Sequence, residues 1–137
     1  MLRAFQEALI EKISHVAKTR KYQGELSNLE NAKMLSSELP LVMVDFVGDT
    51  HIGALKKVAE FNLYIVHISY SSNTQHREET KTELIELLER VDEAISSQSL
   101  AGSQYIQLKR ARKLFDGKSN RAYLSVFMRT LQVELRI

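Results

Sequence analysis

Cysteine is absent from the sequence. Disulfides, zinc thiolates and thiol nucleophiles are therefore excluded, and a reducing compartment is the natural setting. No apolar run approaches the roughly 20 residues that span a bilayer. Met1 to Ile13 carries Arg3, Glu7, Glu11 and Lys12 where a signal peptide needs an unbroken apolar stretch. Charge of one sign is also lacking: 19 basic and 17 acidic residues leave a net charge of +2, without the concentrated basic footprint of a nucleic-acid binder. There is no Gly-x-Gly-x-x-Gly or Gly-Lys-Ser/Thr loop, so the usual phosphate cradles are missing. Ser125 and the other serines lack a nucleophile elbow or an adjacent base. His15, His51, His67 and His76 stand apart from one another, in no ligand spacing such as His-Glu-x-x-His. These absences point to no catalytic residue, no metal and no cofactor, and to neither nucleic acid nor membrane as a partner.

What is present suffices for one folded domain over 1–137. Apolar residues make up 44% and charged residues 26% of a chain of 137, enough to bury roughly 65–70% of the unfolded surface. The most informative stretch is Arg121 to Ile137, which reads as one long strand whose pattern changes midway. Tyr123 and Phe127 point one way and Leu124, Val126 and Met128 the other, so both faces are apolar there. Beyond Leu131 only Leu131, Val133, Leu135 and Ile137 are apolar, with Gln132, Glu134 and Arg136 between them. Such a strand is covered on both faces at its start and half-solvated at its end, with its terminus anchored in the sheet.

Leu2, Phe5, Leu9, Ile13 and Val16 recur at helical spacing, predicting an amphipathic helix over 2–18 whose C-terminal end is the basic cluster Lys18, Arg20 and Lys21. Ser27 or Asn28 is a candidate cap for a short helix carrying Leu29, Met34 and Leu35, closed by Pro40. Leu41 to Val47 is almost continuously apolar, as in a strand covered on both faces, and Gly48-Asp49 reads as its end. Thr50 to Glu60 is a connection containing Gly53, or one to two helical turns. Phe61 to Ser69 is a second strand, with Phe61, Leu63, Ile65 and His67 opposite Tyr64, Val66 and Ile68. A second helix spans about 80–96 on the stripe Leu84, Leu88, Val91 and Ile95. Tyr105 to Leu114 alternates as a third strand, with Ile106 and Leu108 inward, and Asp116-Gly117 reads as a hairpin turn into the last strand.

This order predicts an α+β fold, with a mainly antiparallel four-stranded sheet and two principal helices on one face. Val42, Val44, Tyr64, Val66, Leu124 and Val126 leave apolar groups on both sheet faces. Either the segments 25–39 and 48–60 fill the second face or another copy of the chain covers it.

Among polar residues, His67 reads as a partly buried, hydrogen-bonded side chain. Asp45, between Val44 and Phe46, must be paired or shifted in pKa if buried, or must lie near a strand end and reach out. Asp45, Glu79 and Lys81 give a weak nuclease constellation, since Glu79 and Lys81 fall at a helix start; Lys109 as the alternative lysine loses its acidic partner. The charge distribution says more. Lys109, Arg110, Arg112, Lys113, Lys118 and Arg121 form a basic ribbon, while the helix before it is acidic at Glu79, Glu83, Glu86, Glu89 and Glu93. Between copies, Arg110, Arg112 and Lys113 facing Glu86, Glu89 and Glu93 of a neighbour would set register. Such a head-to-tail contact closes as a ring.

The order and spacing of these segments resemble the small tail-completion proteins of Mu-like phages and prophages, which are similar to tail terminators. The likeness runs through the helix Met1 to Val16, Tyr22-Gln23-Gly24 leading toward Pro40, and the strands Leu41 to Val47 and Phe61 to Ser69. It continues through the helix Thr80 to Ile95, the Leu100-Ala101-Gly102 turn and Tyr123 to Phe127. Asn73 to Thr82 departs from it in being highly charged and polar. The resemblance implies a non-enzymatic structural protein of the virion that forms a ring, usually of six, on the last ring of the tail tube. The ring would end polymerisation and offer the surface on which head-completion or neck proteins dock. It implies assembly in the host bacterial cytoplasm and residence in the virion tail. Other neck or baseplate adaptors are the alternative, with a small metal-dependent nuclease behind them.

Overall fold

A computed structural model describes residues 1–27, 40–69, 74–119 and 122–137. The element order is α1 (Leu2–Ser14), β1 (Lys18–Lys21), a 3-10 turn (Glu25–Ser27), β2 (Leu41–His51), β3 (Lys56–Ser69), α2 (Thr74–Ile95), β4 (Gln107–Ser119) and β5 (Ala122–Arg136). The strands form one sheet in the order β1-β2-β3-β5-β4. The architecture is α+β as expected, but the sheet has five strands rather than four and is mixed, because β1 runs parallel to β2.

The fifth strand is the basic cluster that the helical pattern assigned to the end of α1. The helix stops at Ser14, where Val16 and Ala17 both donate to the Ile13 carbonyl (2.8 and 3.1 Å). Lys18 to Lys21 then pairs with Leu41 to Val44 at the sheet margin. A short, charged strand is well suited to an edge, where it discourages pairing with other chains. The short helix expected around Leu29, Met34 and Leu35 lies outside the described residues.

The connection expected over 50–60 is instead a hairpin arm. β2 continues through Gly48-Asp49 to His51, and β3 begins at Lys56. Gly48 does not end the strand; it takes part in a register shift between Phe46 and Gly48 that leaves Val47 unpaired. The Ile52 amide donates to the Lys56 carbonyl (2.8 Å) and Gly53 adopts φ +80°, the left-handed geometry that suits glycine at a tight turn. At the other hairpin, Asp116 and Gly117 lie inside the ladder, opposite Ser125 and Leu124, and pairing continues to Ser119 and Ala122. A Gly after an Asp is a turn signal only when the flanking strands end there; here Leu124, Tyr123 and Ala122 of β5 carry the ladder past it.

Both helices cover one sheet face, as expected. Phe5, Leu9 and Ile13 of α1 and Leu84, Leu87, Val91 and Ile95 of α2 are buried against Phe61, Leu63, Ile65, Leu131, Val133 and Leu135. Phe61 is central to this core, with ring centroids 5.3 Å from Phe5 and 5.4 Å from Phe46. On the other face Leu41, Met43, Val66, Ile68, Leu124 and Val126 form a second buried cluster. Tyr22, Leu26, Tyr64 and Phe115 pack on it, with the Tyr22 and Tyr64 rings 4.6 Å apart. One half of the second face is thus buried within a single chain. Of the two segments expected to fill it, the described residues 25–27 contribute Leu26 while 28–39 lie outside the described residues, and 48–60 extends the sheet. No helix among the described residues is long and apolar enough to cross a membrane.

Candidate functional site

Lys109, Arg110, Arg112, Lys113 and Lys118 of the basic ribbon lie on β4, which among the described residues pairs only with β5 and so forms one margin of the sheet, and Arg121 lies outside the described residues. Two register shifts, between Leu108 and Ala111 and between Lys113 and Phe115, break that strand into short straight runs. Bulges and cations on an edge both oppose continuation of the ladder by another strand. What β4 presents at this margin is chiefly its side chains. Arg110, Arg112 and Lys113 are all exposed, but not on one face. Arg112 pairs in register with Met128, on the face away from the helices, while Lys113 pairs with Phe127 on the helix face. Lys113 is also already engaged, its ammonium lying 3.2 Å from the Asp116 carboxylate.

Glu86, Glu89 and Glu93 lie on the outer side of α2, spaced by three and four residues, and all three are exposed. That spacing aligns them along one helix face. Among the described residues no ion pair joins them to Arg110, Arg112 or Lys113.

The structure assembles two charged pairs that the sequence reading missed. Arg129 makes a bidentate contact with Asp92, Nε to Oδ1 at 2.9 Å and Nη2 to Oδ2 at 2.5 Å, and ties β5 to α2. Arg129 sits in the inward phase between Phe127 and Leu131; a charge in a core phase must find a partner, and that was the available signal. Asp116 accepts from Lys81 at 3.0 Å and from the Ser125 hydroxyl at 3.0 Å, and the Lys81 ammonium and the Arg77 guanidinium both lie over the Tyr123 ring, 5.1 and 5.0 Å from its centroid. Burial alone would raise the Asp116 carboxyl, but hydrogen bonds from Lys81, Ser125, Lys113 and Tyr123 outweigh it and hold the group below the ordinary carboxylate value. The Lys81 ammonium is raised in turn, chiefly by its bond to Asp116.

The nuclease constellation does not form. Asp45 lies opposite Asn62 on the sheet face away from the helices, whereas Lys81 is on the helix side over Tyr123. Lys109 is on β4, separated from β2 by β3 and β5. Asp45 is not at a strand end either: it is half-buried in mid-strand, and burial pushes its carboxyl up. His67 is hydrogen-bonded as expected, Nε2 to Glu83 at 3.1 Å, while its Nδ1 is buried without a partner among the described residues. No group of three or more potential metal ligands occurs among the described residues.

A further surface feature is the tip of the β2–β3 arm. Ile52 and Leu55 are exposed there, and the Ile137 amide donates to the Leu55 carbonyl (2.8 Å), adding a third exposed aliphatic side chain. Its two lysines are neutralised locally: Lys56 by Glu134 (3.4 Å) and Lys57 by Asp49 (3.1 Å).

No protein-family model and no curated protein matches the chain. Among solved structures, a chain from the virion of a native gene transfer agent particle superposes with a TM-score of 0.59, at 8% identity. The match covers 99% of this chain and 97% of that one. The two chains share a fold. At such identity the correspondence is one of architecture, end to end, with no residue correspondence implied.

Proposed function

We propose that the protein is a structural component of a phage-like virion, assembled as a ring that caps the tail tube, ends its polymerisation and offers the surface on which a head-completion or neck protein docks. The observation that carries this reading is the fold shared over the full length of both chains with a component of a gene transfer agent virion. Two surface features support it. One margin of the sheet is basic and interrupted by bulges, and the solvent face of α2 is acidic. A like-charged pair of such surfaces repels, whereas unlike surfaces on successive copies attract, which selects a head-to-tail contact. Head-to-tail contacts close as rings when the rotation permits.

In this reading Arg110 and Arg112 meet Glu86, Glu89 and Glu93 of the next copy. Lys113 is the weaker contributor, because Asp116 already neutralises part of its charge. The mechanism is steric: the ring occupies the end of the tube on which another tube ring would add. No group transfer is involved.

Electron microscopy of the purified protein with isolated tail tubes, alongside a mass determination of the free protein, tests the proposal. Rings at one tube end with constant tube length are expected. Bare tubes and a monomeric protein would sink it, and density elsewhere in the neck or baseplate would make the protein an adaptor. Reversing Arg110 and Arg112 together (Arg110→Glu, Arg112→Glu) should weaken ring formation and leave the unfolding transition unchanged.

A further inference from the structure

α2 is one continuous helix, yet it is held to the sheet by two different means. From Leu84 onward, Leu84, Leu87, Val91 and Ile95 are buried in the helix-side core, and the Arg129 clamp on Asp92 adds to them. From Arg77 to Glu83 the sequence has no apolar residue. The sheet-facing stripe nevertheless continues there in helical register, because Arg77 and Lys81 precede Leu84 by seven and three residues. Cations thus stand where the second half of the helix places aliphatic side chains.

What these cations meet is polar or aromatic. The Lys81 ammonium is 3.0 Å from the Asp116 carboxylate, and both Lys81 and Arg77 lie over the Tyr123 ring. Glu83 bonds to Nε2 of His67 at 3.1 Å, and Arg77, Glu79 and Thr80 are partnered too. Ion pairs of this kind near the surface hold weakly in water and are screened by salt. The segment also has little helical strength of its own. The first turn of α2 carries no acidic residue to complement the helix dipole, and Arg77 lies near its positive end. Thr80 and Thr82 are among the poorer helix formers, and the Thr82 hydroxyl turns back to the Glu78 carbonyl at 3.0 Å. Glu79 and Glu83 stand one turn apart with like charge.

The sheet beneath does not depend on this segment. At that level its other face is already buried, with Ile68, Leu124 and Val126 packed under Tyr22, Leu26 and Phe115. We infer that Arg77 to Glu83 is an electrostatic strap, a part of α2 that unwinds and lifts from the sheet as its own unit while Leu84 to Ile95 stays docked. Ionic strength and the charge on Asp116 set how firmly it closes. Opening uncovers Ser125, which is 3% exposed when the strap is closed, and frees the Asp116 carboxylate and the Tyr123 ring from the strap's own cations. The inference is independent of the capping reading, because every contact it uses lies within one chain.

Native-state hydrogen exchange on the full chain, followed across low urea concentrations, tests this. The amides of Glu78 to Glu83 should exchange at least about tenfold faster than those of Leu87 to Ile95, and their rate should hardly change with urea, since opening exposes little surface. Raising NaCl from 0.1 to 1 M shortens the screening length from about 10 to about 3 Å and should speed the first set about threefold while leaving the second unchanged. Asp116→Asn should speed the first set about tenfold and keep its weak urea dependence. Because Asp116 also holds Lys113 and Ser125, Lys81→Gln serves as the second variant and should act in the same direction. One rate and one urea dependence throughout α2 would overturn the inference, since the helix would then open only with the whole domain. Fast exchange at Glu78 to Glu83 that is indifferent to salt, or to both substitutions, would overturn it as well, being the ordinary fraying of a helix end.

Discussion

Along β3 and β5 the face away from the helices changes character at Asn62 and Thr130, whose side chains bond to each other (3.0 Å). On one side of that pair lie Tyr64, Val66, Ile68, Leu124 and Val126, packed under Tyr22 and Leu26. On the other lie Glu60, Gln132, Val58, Glu134, Lys56 and Arg136, polar but for Val58. The helix-side face shows no such break, since Phe61, Leu63, Ile65, Leu131, Val133 and Leu135 are all buried. One half of the sheet is thus the middle layer of three and the other half the outer layer of two. The lesson is that a strand's two faces are set independently by what packs on each, so a single strand changes from buried to half-solvated without a break in its ladder.

The largest test of this comparison removes what both halves share. Phe61→Ala leaves a void between Phe5 and Phe46, and the expected loss is about 3–5 kcal/mol in chemical denaturation. The next separates the halves. Met43→Ala, on the covered half, should cost about 2–4 kcal/mol, whereas Gln132→Ala, on the solvated half, should change stability by less than about 0.5 kcal/mol. The first value should not depend on protein concentration, because the covering side chains belong to the same chain. A Met43→Ala cost that appears only at concentrations where the chain self-associates would show instead that a second copy completes that face.

Much of this division was legible in the sequence. The switch from two-sided to one-sided alternation within Tyr123 to Ile137 is a direct record of burial, and the inward set Phe61, Leu63 and Ile65 was readable for the same reason. Less legible were elements whose local chemistry suits two structures. Lys18 to Lys21 satisfies the dipole at a helix end as well as the edge of a sheet, and only pairing with Leu41 to Val44 decides between them. Gly48-Asp49 and Asp116-Gly117 look like strand ends, yet a ladder partner on the far side carries the chain through both. Of the candidate site, the basic ribbon and the acidic helix face were visible as charge runs. The bulges on either side of Ala111 to Lys113 were not, because register is a property of the partner strand, although simple alternation already places the neighbours Arg112 and Lys113 on opposite faces. Nor could spacing bring Asp92 to Arg129 or Lys81 to Asp116, contacts that exist only once α2 lies across β5.

The smallest effects sharpen the comparison through two aspartates whose pKa values move in opposite directions. Asp116 is on the helix side of the covered half, and its carboxyl is held below the ordinary value. A carboxyl depressed on folding contributes stability above its unfolded pKa and loses that contribution as pH falls through the folded one. Asp116→Asn should therefore lower stability near pH 7 by about 1–2 kcal/mol, with the difference from the parent closing below about pH 4. Asp45 sits at the boundary between the halves, and its carboxyl is raised by burial with no compensating partner among the described residues. The sign reverses: its ionised form opposes folding above the folded pKa, and the penalty disappears as pH falls and the group protonates. Asp45→Asn should accordingly raise stability slightly at pH 7 and leave it unchanged in acid, as read by urea midpoints across the pH range. A fall in stability for Asp45→Asn at neutral pH would mean that the carboxylate is held by a favourable contact, and the boundary at Asn62 would then be a charged junction rather than the place where covering simply ends.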